Sequence, residues 1–152
     1  MVRKIGKPSL KTGKKLFKDK NIEIVLNQKH GSIEFKFKKF ISSEAFRKEL
    51  DQVYDCFFEQ GCKKALCDMR KMGAIPQQAQ QWIDTKWMPR MIQLGVKTWA
   101  FVMPPSASIG HTVDQLREQR AEKEAQAGVK TFFYNSIDAA RDSIASLSIE
   151  EE

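Results

Sequence analysis

The chain has few of the residues that build metal sites, disulfides or membrane spans. It contains three cysteines and two histidines in 152 residues, and the cysteine spacings match no zinc ribbon or redox pair. The longest apolar run, Trp99–Met103, is far shorter than the ~20 residues that a membrane helix requires. No apolar core typical of a signal peptide follows the N-terminal charges. We therefore expect no metal, no cofactor and no membrane span, and a cytoplasmic location with reduced, unreactive thiols.

Catalytic groupings are also missing from the sequence. It has no glycine-rich phosphate loop, no paired-carboxylate motif, and no nucleophile with a base and an orienting acid at a recognisable spacing. We therefore expect a protein without enzymatic activity.

Positive charge is concentrated at the N-terminus. Of the 26 basic and 19 acidic residues, eight basic groups and one acidic group lie in residues 1–20, which leaves 18 of each sign in residues 21–152. So polar a segment buries too little apolar surface to offset the conformational entropy that it would lose on ordering. We expect a disordered basic tail over residues 1–20, one domain over residues 21–148, and an acidic C-terminal end over residues 149–152.

Hydrophobic periodicity predicts the element order β-β-α-β-α-β-α-β-α. The runs Ile22–Leu26 and Ile33–Phe37 alternate with a period of two and predict an antiparallel hairpin with charges on one face. Helices are expected after Ser42 or Ser43, Pro76, Thr112 and Ser136, and further strands at Ala65–Met69, Lys97–Met103 and Val129–Tyr134. Because helical crossovers place the later strands parallel, we expect an α/β fold whose mixed, mostly parallel sheet has helices mainly on one face.

Two helices carry specific signals. The first has apolar residues at Phe46, Leu50, Val53 and Phe57, and Gly61 is well placed to end it. In the second, Pro89 interrupts the apolar pattern. Since proline lacks a backbone donor and clashes with the preceding turn, a kink or restart is expected near Met88.

The element order, the strand end Ala65-Leu66-Cys67-Asp68-Met69 and the segment Trp87-Met88-Pro89-Arg90 together resemble the SpoIIAA-like group of STAS domains, whose fold is related to the CRAL-TRIO lipid-transfer domain. The resemblance covers about residues 22–147 and implies a bacterial protein. In the anti-sigma-factor antagonists of this family, an aspartate ends the strand and a phosphorylatable Ser or Thr follows in the loop. Asp68 matches the aspartate, but residues 70–76 contain no Ser or Thr, so the phospho-switch is not inherited.

One group of candidate binding residues lies at the end of the predicted strand that contains Asp68. Arg70 and Lys71 follow it, and His111 lies in the loop that faces them. Parallel α/β sheets usually bind ligands outside the carboxyl ends of their strands, and two cations close to a helix N-terminus attract anions. The simpler interpretation is a solvated loop tied by an ion pair from Asp68 to Arg70 or Arg90.

A second group lies on the helix that contains Pro89. Trp82 and Trp87, with neighbouring methionines, have the composition of an adaptable apolar pocket. Their helical spacing is equally that of an ordinary core. Arg90 is expected to hold the kink by hydrogen bonds to freed carbonyls.

Three functions remain open at this point. The first is a non-catalytic STAS-like cytoplasmic domain that binds a protein partner or a small anionic or apolar ligand, with a homodimer through the uncovered sheet face as one form. The second is a carrier of lipids or small hydrophobic molecules, using a pocket between the Trp82/Trp87 helix and the sheet. The third is a nucleic-acid accessory protein that acts through its basic tail, without specific sequence recognition.

Overall fold

The computed structural model describes residues 13–73, 75–104 and 128–150. These residues form three helical segments and a six-stranded sheet. The helical segments are α1 (Ser43–Gln60), a continuous segment made of α2 (Gln77–Trp82), a π-helical turn (Ile83–Trp87) and α3 (Met88–Gln93), and α4 (Ile137–Glu150). The strands are β1 (Gly13–Lys18), β2 (Ile22–Asn27), β3 (Ser32–Phe37), β4 (Lys64–Asp68), β5 (Thr98–Val102) and β6 (Lys130–Tyr134).

The six described strands follow one another in chain order across the sheet, from β1 to β6. The pairs β1–β2 and β2–β3 are antiparallel, and the pairs from β3 to β6 are parallel. The α/β class and the mixed sheet expected from the sequence are confirmed. The predicted helix after Thr112 lies outside the described residues.

Strand β1 was not expected, because it falls within the segment predicted to be disordered. It pairs with β2 through partners such as Lys14 with Leu26 and Lys18 with Glu23, with an irregularity between Lys15 and Phe17. Pairing with β2 satisfies one side of its backbone, and the half-buried Leu16 and Phe17 pack against the core. The prediction of a disordered tail is therefore wrong for residues 13–18, and residues 1–12 lie outside the described residues.

The main core lies between one face of the sheet and the helices α1 to α3. Helix α1 buries its predicted apolar positions, begins after Ser42, whose hydroxyl accepts from the Ala45 amide, and ends at Gly61 with a φ of 71°. A left-handed residue of this kind is where glycine is favoured. Trp99 lies at the centre of this core, with ring centroids 5.6 Å from Trp87 and 6.4 Å from Phe57.

The helix over residues 77–93 is continuous and changes from π to α geometry at Met88, near which the sequence predicts a kink or a restart. The amide of Met88 donates to the Ile83 carbonyl, five residues back, and Pro89 has no amide to donate. The indole Nε1 of Trp87 donates to the Leu50 carbonyl of α1 at 2.8 Å. The π-helical turn thus accommodates the missing donor of Pro89 without ending the helix. The hydrogen bond of Trp87 joins this segment to α1.

Helix α4 packs on the opposite face of the sheet. A smaller core there joins Ala140 and Ile144 of α4 to Leu66 of β4 and to Ala100 and Val102 of β5. The expectation that helices lie mainly on one face holds for α1 to α3 but not for α4. The physical reason is visible in β4 and β5, whose alternate residues are apolar on both faces and so need a helix on each side.

Candidate functional site

A cleft of about 280 Å³ opens on the face of the sheet that α4 partly covers. Side chains of β2, β3 and β4 line its base, and the first turns of α4 form one wall. Strand register brings the charges together, because Glu34 pairs with Leu66 and Lys36 with Asp68 across β3 and β4. We call it the α4 cleft; its lining residues are Glu23, Val25, Glu34, Phe35, Lys36, Leu66, Asp68, Arg70, Ile137 and Arg141.

Asp68 ends β4 and is 3% exposed. Its carboxylate accepts two hydrogen bonds from the guanidinium of Arg70, from Nε at 3.0 Å and Nη2 at 2.7 Å, and a third from the Arg70 backbone amide at 3.1 Å. Burial alone would raise the pKa of Asp68, but these hydrogen bonds and the charges of Arg70 and Lys36 outweigh burial and lower it. Asp68 is therefore ionised at neutral pH and holds Arg70 in one orientation.

A second carboxylate holds Arg141 in the same way. Arg141 of α4 donates from Nε to Oε2 of Glu34 at 3.0 Å and from Nη2 to Oε1 at 2.8 Å. The Asn27 side chain donates a further hydrogen bond to Glu34 at 2.9 Å. The hydrogen bonds that Arg141 donates to Glu34 raise the pKa of Arg141. This pair ties α4 to β3 and fixes the wall of the α4 cleft.

The two guanidinium groups keep donors available on their outer sides. A guanidinium has five N–H groups, and the carboxylates engage the Nε and one Nη2 donor of each arginine. The side chains of Arg70 and Arg141 are 40% and 41% exposed, and Val25 and Leu66 add apolar surface between the charges. The arrangement suits recognition of an anion that carries a short apolar portion. It does not suit proton transfer, because Asp68 is a weak base with both oxygens engaged.

The structure brings together two of the residues predicted at the strand end. Asp68 and Arg70 form the ion pair that the sequence allowed, and both line the α4 cleft. Lys71 follows them in the turn and is exposed, but it does not line the cleft. His111 lies outside the described residues.

The residues predicted on the proline-containing helix lie on the opposite face of the sheet. Trp87 is buried in the main core, and Trp82 is half-buried with the Arg47 guanidinium 4.9 Å from its ring. Nη1 of Arg90 lies 3.7 Å from Oδ1 of Asp51, and the guanidinium lies over the Tyr54 ring of α1. The expected hydrogen bonds to carbonyls freed by the proline are replaced by these contacts. The placement of Trp87 favours the core interpretation over a carrier pocket.

Four of the six charged residues of the α4 cleft are not predicted from the sequence. Glu23, Glu34 and Lys36 alternate with buried residues, a pattern that predicts only a charged face of the hairpin, and Arg141 belongs to no predicted site. One signal was present for Arg141, because it follows Ile137 by four residues and so borders the apolar stripe of α4.

The described residues offer little for metal or thiol chemistry. Within them, no group of three or more His, Cys, Asp or Glu residues is arranged to hold a metal ion. Burial, with the charges of Glu59 and Asp55, raises the pKa of Cys56 to about 11, and burial with the charge of Asp68 raises the pKa of Cys67 far above its usual range. Both thiols are therefore protonated at neutral pH, and thiolate is the reactive form.

No helix within the described residues has the length and apolar character needed to span a bilayer. Comparison of the chain with protein-family models, curated proteins and solved structures gave no match. The resemblance to STAS domains is thus a prediction from the sequence alone.

Proposed function

We propose that this protein is a non-catalytic, STAS-like cytoplasmic domain that binds a small organic anion in the α4 cleft. The observation that carries the proposal is the pair of guanidinium groups, Arg70 and Arg141, which line one cleft and are each fixed by a buried carboxylate. A SpoIIAA-like fold is part of the proposal, since the predicted strand end at Asp68 supplies one of the two pairs.

Preorganisation is the physical reason to expect binding. Asp68 and Glu34 hold the planar guanidinium groups before any ligand arrives, so less side-chain entropy is lost when the outer N–H groups meet an anion. The cleft has no net charge, because Glu23, Glu34 and Asp68 balance Lys36, Arg70 and Arg141. Recognition therefore depends on directed hydrogen bonds rather than on a positive field, and we expect only moderate affinity.

The size of the cleft limits the ligand. Pockets that bind drug-sized ligands have volumes of about 300–1,000 Å³, and the α4 cleft has a volume of about 280 Å³. Val25 and Leu66 provide an apolar surface at its base. We therefore expect a carboxylate with a short hydrocarbon portion to bind better than inorganic phosphate, which has no apolar portion.

The experiment follows methyl groups of the cleft by NMR during titration with butyrate, succinate and inorganic phosphate. Binding should shift the signals of Val25, Leu66 and Ile137, which line the cleft. The variants Arg70→Lys and Arg141→Lys keep the charge but lose the planar fork. Each should weaken binding about tenfold or more, because a hydrogen bond to a charged group contributes about 1.5–3 kcal/mol.

The matched control is Arg90→Lys. Arg90 also faces a carboxylate, that of Asp51, but lies on the other side of the sheet, so its replacement should leave the titration unchanged. The proposal fails if none of the three anions shifts the cleft methyl signals at millimolar concentration. It also fails if Arg90→Lys weakens binding as much as Arg70→Lys does.

A further inference from the structure

Basic side chains follow one edge of the sheet. Strand β1 is the outermost of the described strands, and Lys14, Lys15 and Lys18 on it are exposed, as is Lys20 just after it. Because a strand advances ~3.3 Å per residue, the lysines of β1 extend over roughly 13 Å. The register places Lys15 and Lys18 on the face of the sheet that holds the α4 cleft and Lys14 on the other face, so the charges form a row along the edge rather than a compact patch on one face.

The loop after β3 continues this row and adds an aromatic ring. The backbone amide of Lys38 donates to the Asn21 carbonyl at 2.9 Å, and its Nζ donates to the Asp19 carbonyl at 2.7 Å. These contacts place Lys38 at the turn that follows β1, and the exposed Lys39 and Phe40 come next in the chain. The Phe40 side chain is 62% exposed. We call this surface the basic track; it comprises Lys14, Lys15, Lys18, Lys20, Lys39 and Phe40.

Acidic residues near the basic track cancel only part of its charge. The Asp19 carboxylate accepts hydrogen bonds from the backbone amides of Asn21 at 2.8 Å and Ile22 at 2.9 Å, so it is directed into its own turn. Lys15 forms an ion pair with Glu23 at 3.4 Å. The remaining four lysines carry the positive charge of the track.

We infer that the basic track binds single-stranded nucleic acid without sequence preference. Its lysines would neutralise backbone phosphates, and one base would stack on the Phe40 ring. Proteins that bind single strands combine these two features, a positive groove or ridge and an aromatic surface for the bases. An anionic bilayer presents a plane, whereas this surface is a single row with one exposed ring, so its shape fits a strand better.

Lysines on an edge strand also discourage pairing of two sheets edge to edge. That role requires no aromatic ring next to the lysines. The exposed ring of Phe40 therefore distinguishes a nucleic-acid-binding surface from an edge whose lysines only prevent pairing with another sheet. The experiment tests the contribution of this ring.

The experiment measures fluorescence anisotropy of a labelled 20-nucleotide oligothymidine with the full chain at several salt concentrations. On single strands each neutralised phosphate contributes about −0.7 to the slope of log affinity against log salt. Four phosphates neutralised by the track give a slope of about −3, and phosphates neutralised by the four basic residues of residues 1–12 make it steeper. Replacing Lys18 and Lys20 together by alanine should bring the slope closer to zero by about 1.4.

Two matched controls distinguish the track from the total charge and from exposed aromatics in general. Phe40→Ala should weaken binding at least about fivefold through lost stacking, while Phe58→Ala, at a position 66% exposed on α1, should have no effect. Replacing Lys48 and Lys86 on the helices removes the same charge as the Lys18/Lys20 pair and should leave the slope near its original value. Circular dichroism verifies that each variant is folded.

Four results would overturn the inference. The first is equal weakening by the two lysine pairs, which would assign binding to net charge, and the second is equal behaviour of the Phe40 and Phe58 variants. The third is binding to phosphatidylcholine vesicles containing phosphatidylserine without binding to the oligonucleotide, which would indicate a membrane surface. The fourth is no binding to either probe. None of these results bears on the α4 cleft, so the two proposals succeed or fail separately.

Discussion

The ion pair between Glu34 and Arg141 should contribute measurably to the stability of the fold, because it attaches α4 to the sheet. Arg141→Met removes the guanidinium but keeps the aliphatic stem. Glu34, whose side chain is 11% exposed, would then retain a single hydrogen bond, from Asn27. A carboxylate left so poorly solvated and without its cation destabilises the folded state.

The expected magnitude lies between two limits. Removing one partner of a fully buried ion pair costs about 3–5 kcal/mol, and an exposed pair contributes about 0–1 kcal/mol. Glu34 is nearly buried, but the Arg141 side chain is 41% exposed, so solvent screens part of the interaction. We expect Arg141→Met to lower the free energy of unfolding by about 2 kcal/mol. The coupling energy between Arg141→Met and Glu34→Gln should be about 1–2 kcal/mol.

The assay is urea unfolding at pH 7, followed by circular dichroism, for the four proteins of the double-mutant cycle. A second cycle on Asp51 and Arg90 is the matched control, because that pair is 3.7 Å apart and its side chains are 57% and 48% exposed. Its coupling energy should be below about 0.5 kcal/mol. If the Glu34–Arg141 pair gives no larger coupling than the control pair, burial and bidentate geometry do not strengthen it and the reasoning is refuted.

Three further outcomes follow from burial and hydrogen bonding. Asp68→Asn should destabilise the protein at pH 7, and its difference in unfolding free energy from the parent protein should shrink below about pH 4. The pKa of Asp68 in the folded protein lies below its ordinary value of 3.8, so the stabilisation by the ionised carboxylate is lost as pH falls through that folded pKa. Urea unfolding between pH 3 and 7 measures this difference. Labelling with a thiol reagent at pH 8 should modify the half-buried Cys62 faster than the buried Cys56, and equal rates would count against the described burial. Within the described residues the buried Ser32 Oγ has no hydrogen-bond partner, so thermal unfolding of Ser32→Ala should show no loss of stability and a gain of up to about 1 kcal/mol.

Most strands and helices could be predicted because each carries a local signal. Helix α1 has an apolar stripe, a serine cap and a terminal glycine. All three are confirmed, because the stripe is buried, Ser42 caps the helix and Gly61 ends it. The hairpin of β2 and β3 follows from a period of two, and the change of helix geometry at Met88 follows from Pro89. These signals depend only on neighbours in the sequence, so they can be seen before any tertiary contact is known.

Strand β1 could not be predicted by the same reasoning. Its sequence, Gly-Lys-Lys-Leu-Phe-Lys, has three lysines and no regular alternation of apolar residues. It forms because β2 offers a free edge and the core accepts Leu16 and Phe17. Tertiary context therefore overrides composition here, since an edge strand needs only one partner and can keep its lysines in solvent.

Of the two guanidinium–carboxylate pairs in the candidate site, one could be predicted from the sequence. The position of Asp68 and Arg70 at a strand end was enough to single them out, because parallel sheets place ligands there. Glu34 and Arg141 are 107 residues apart in the chain and meet only because α4 packs on the second face of the sheet. Sequence patterns did not reveal that α4 crosses to this face, so the second guanidinium of the α4 cleft remained hidden.

The strictly consecutive strand order has a consequence for biosynthesis. Each described strand after β1 pairs with the described strand that precedes it in the chain, so the sheet can be extended step by step while the ribosome is still adding residues. Low sequence separation of contacts favours rapid folding. Helix α4 follows all six described strands in the chain, and until it emerges the nascent sheet exposes Leu66, Ala100 and Val102, which α4 later covers. A chain truncated before residue 137 would therefore leave these apolar side chains exposed on one face of the sheet. Such a product should bind chaperones or aggregate, whereas the chain that includes α4 should not.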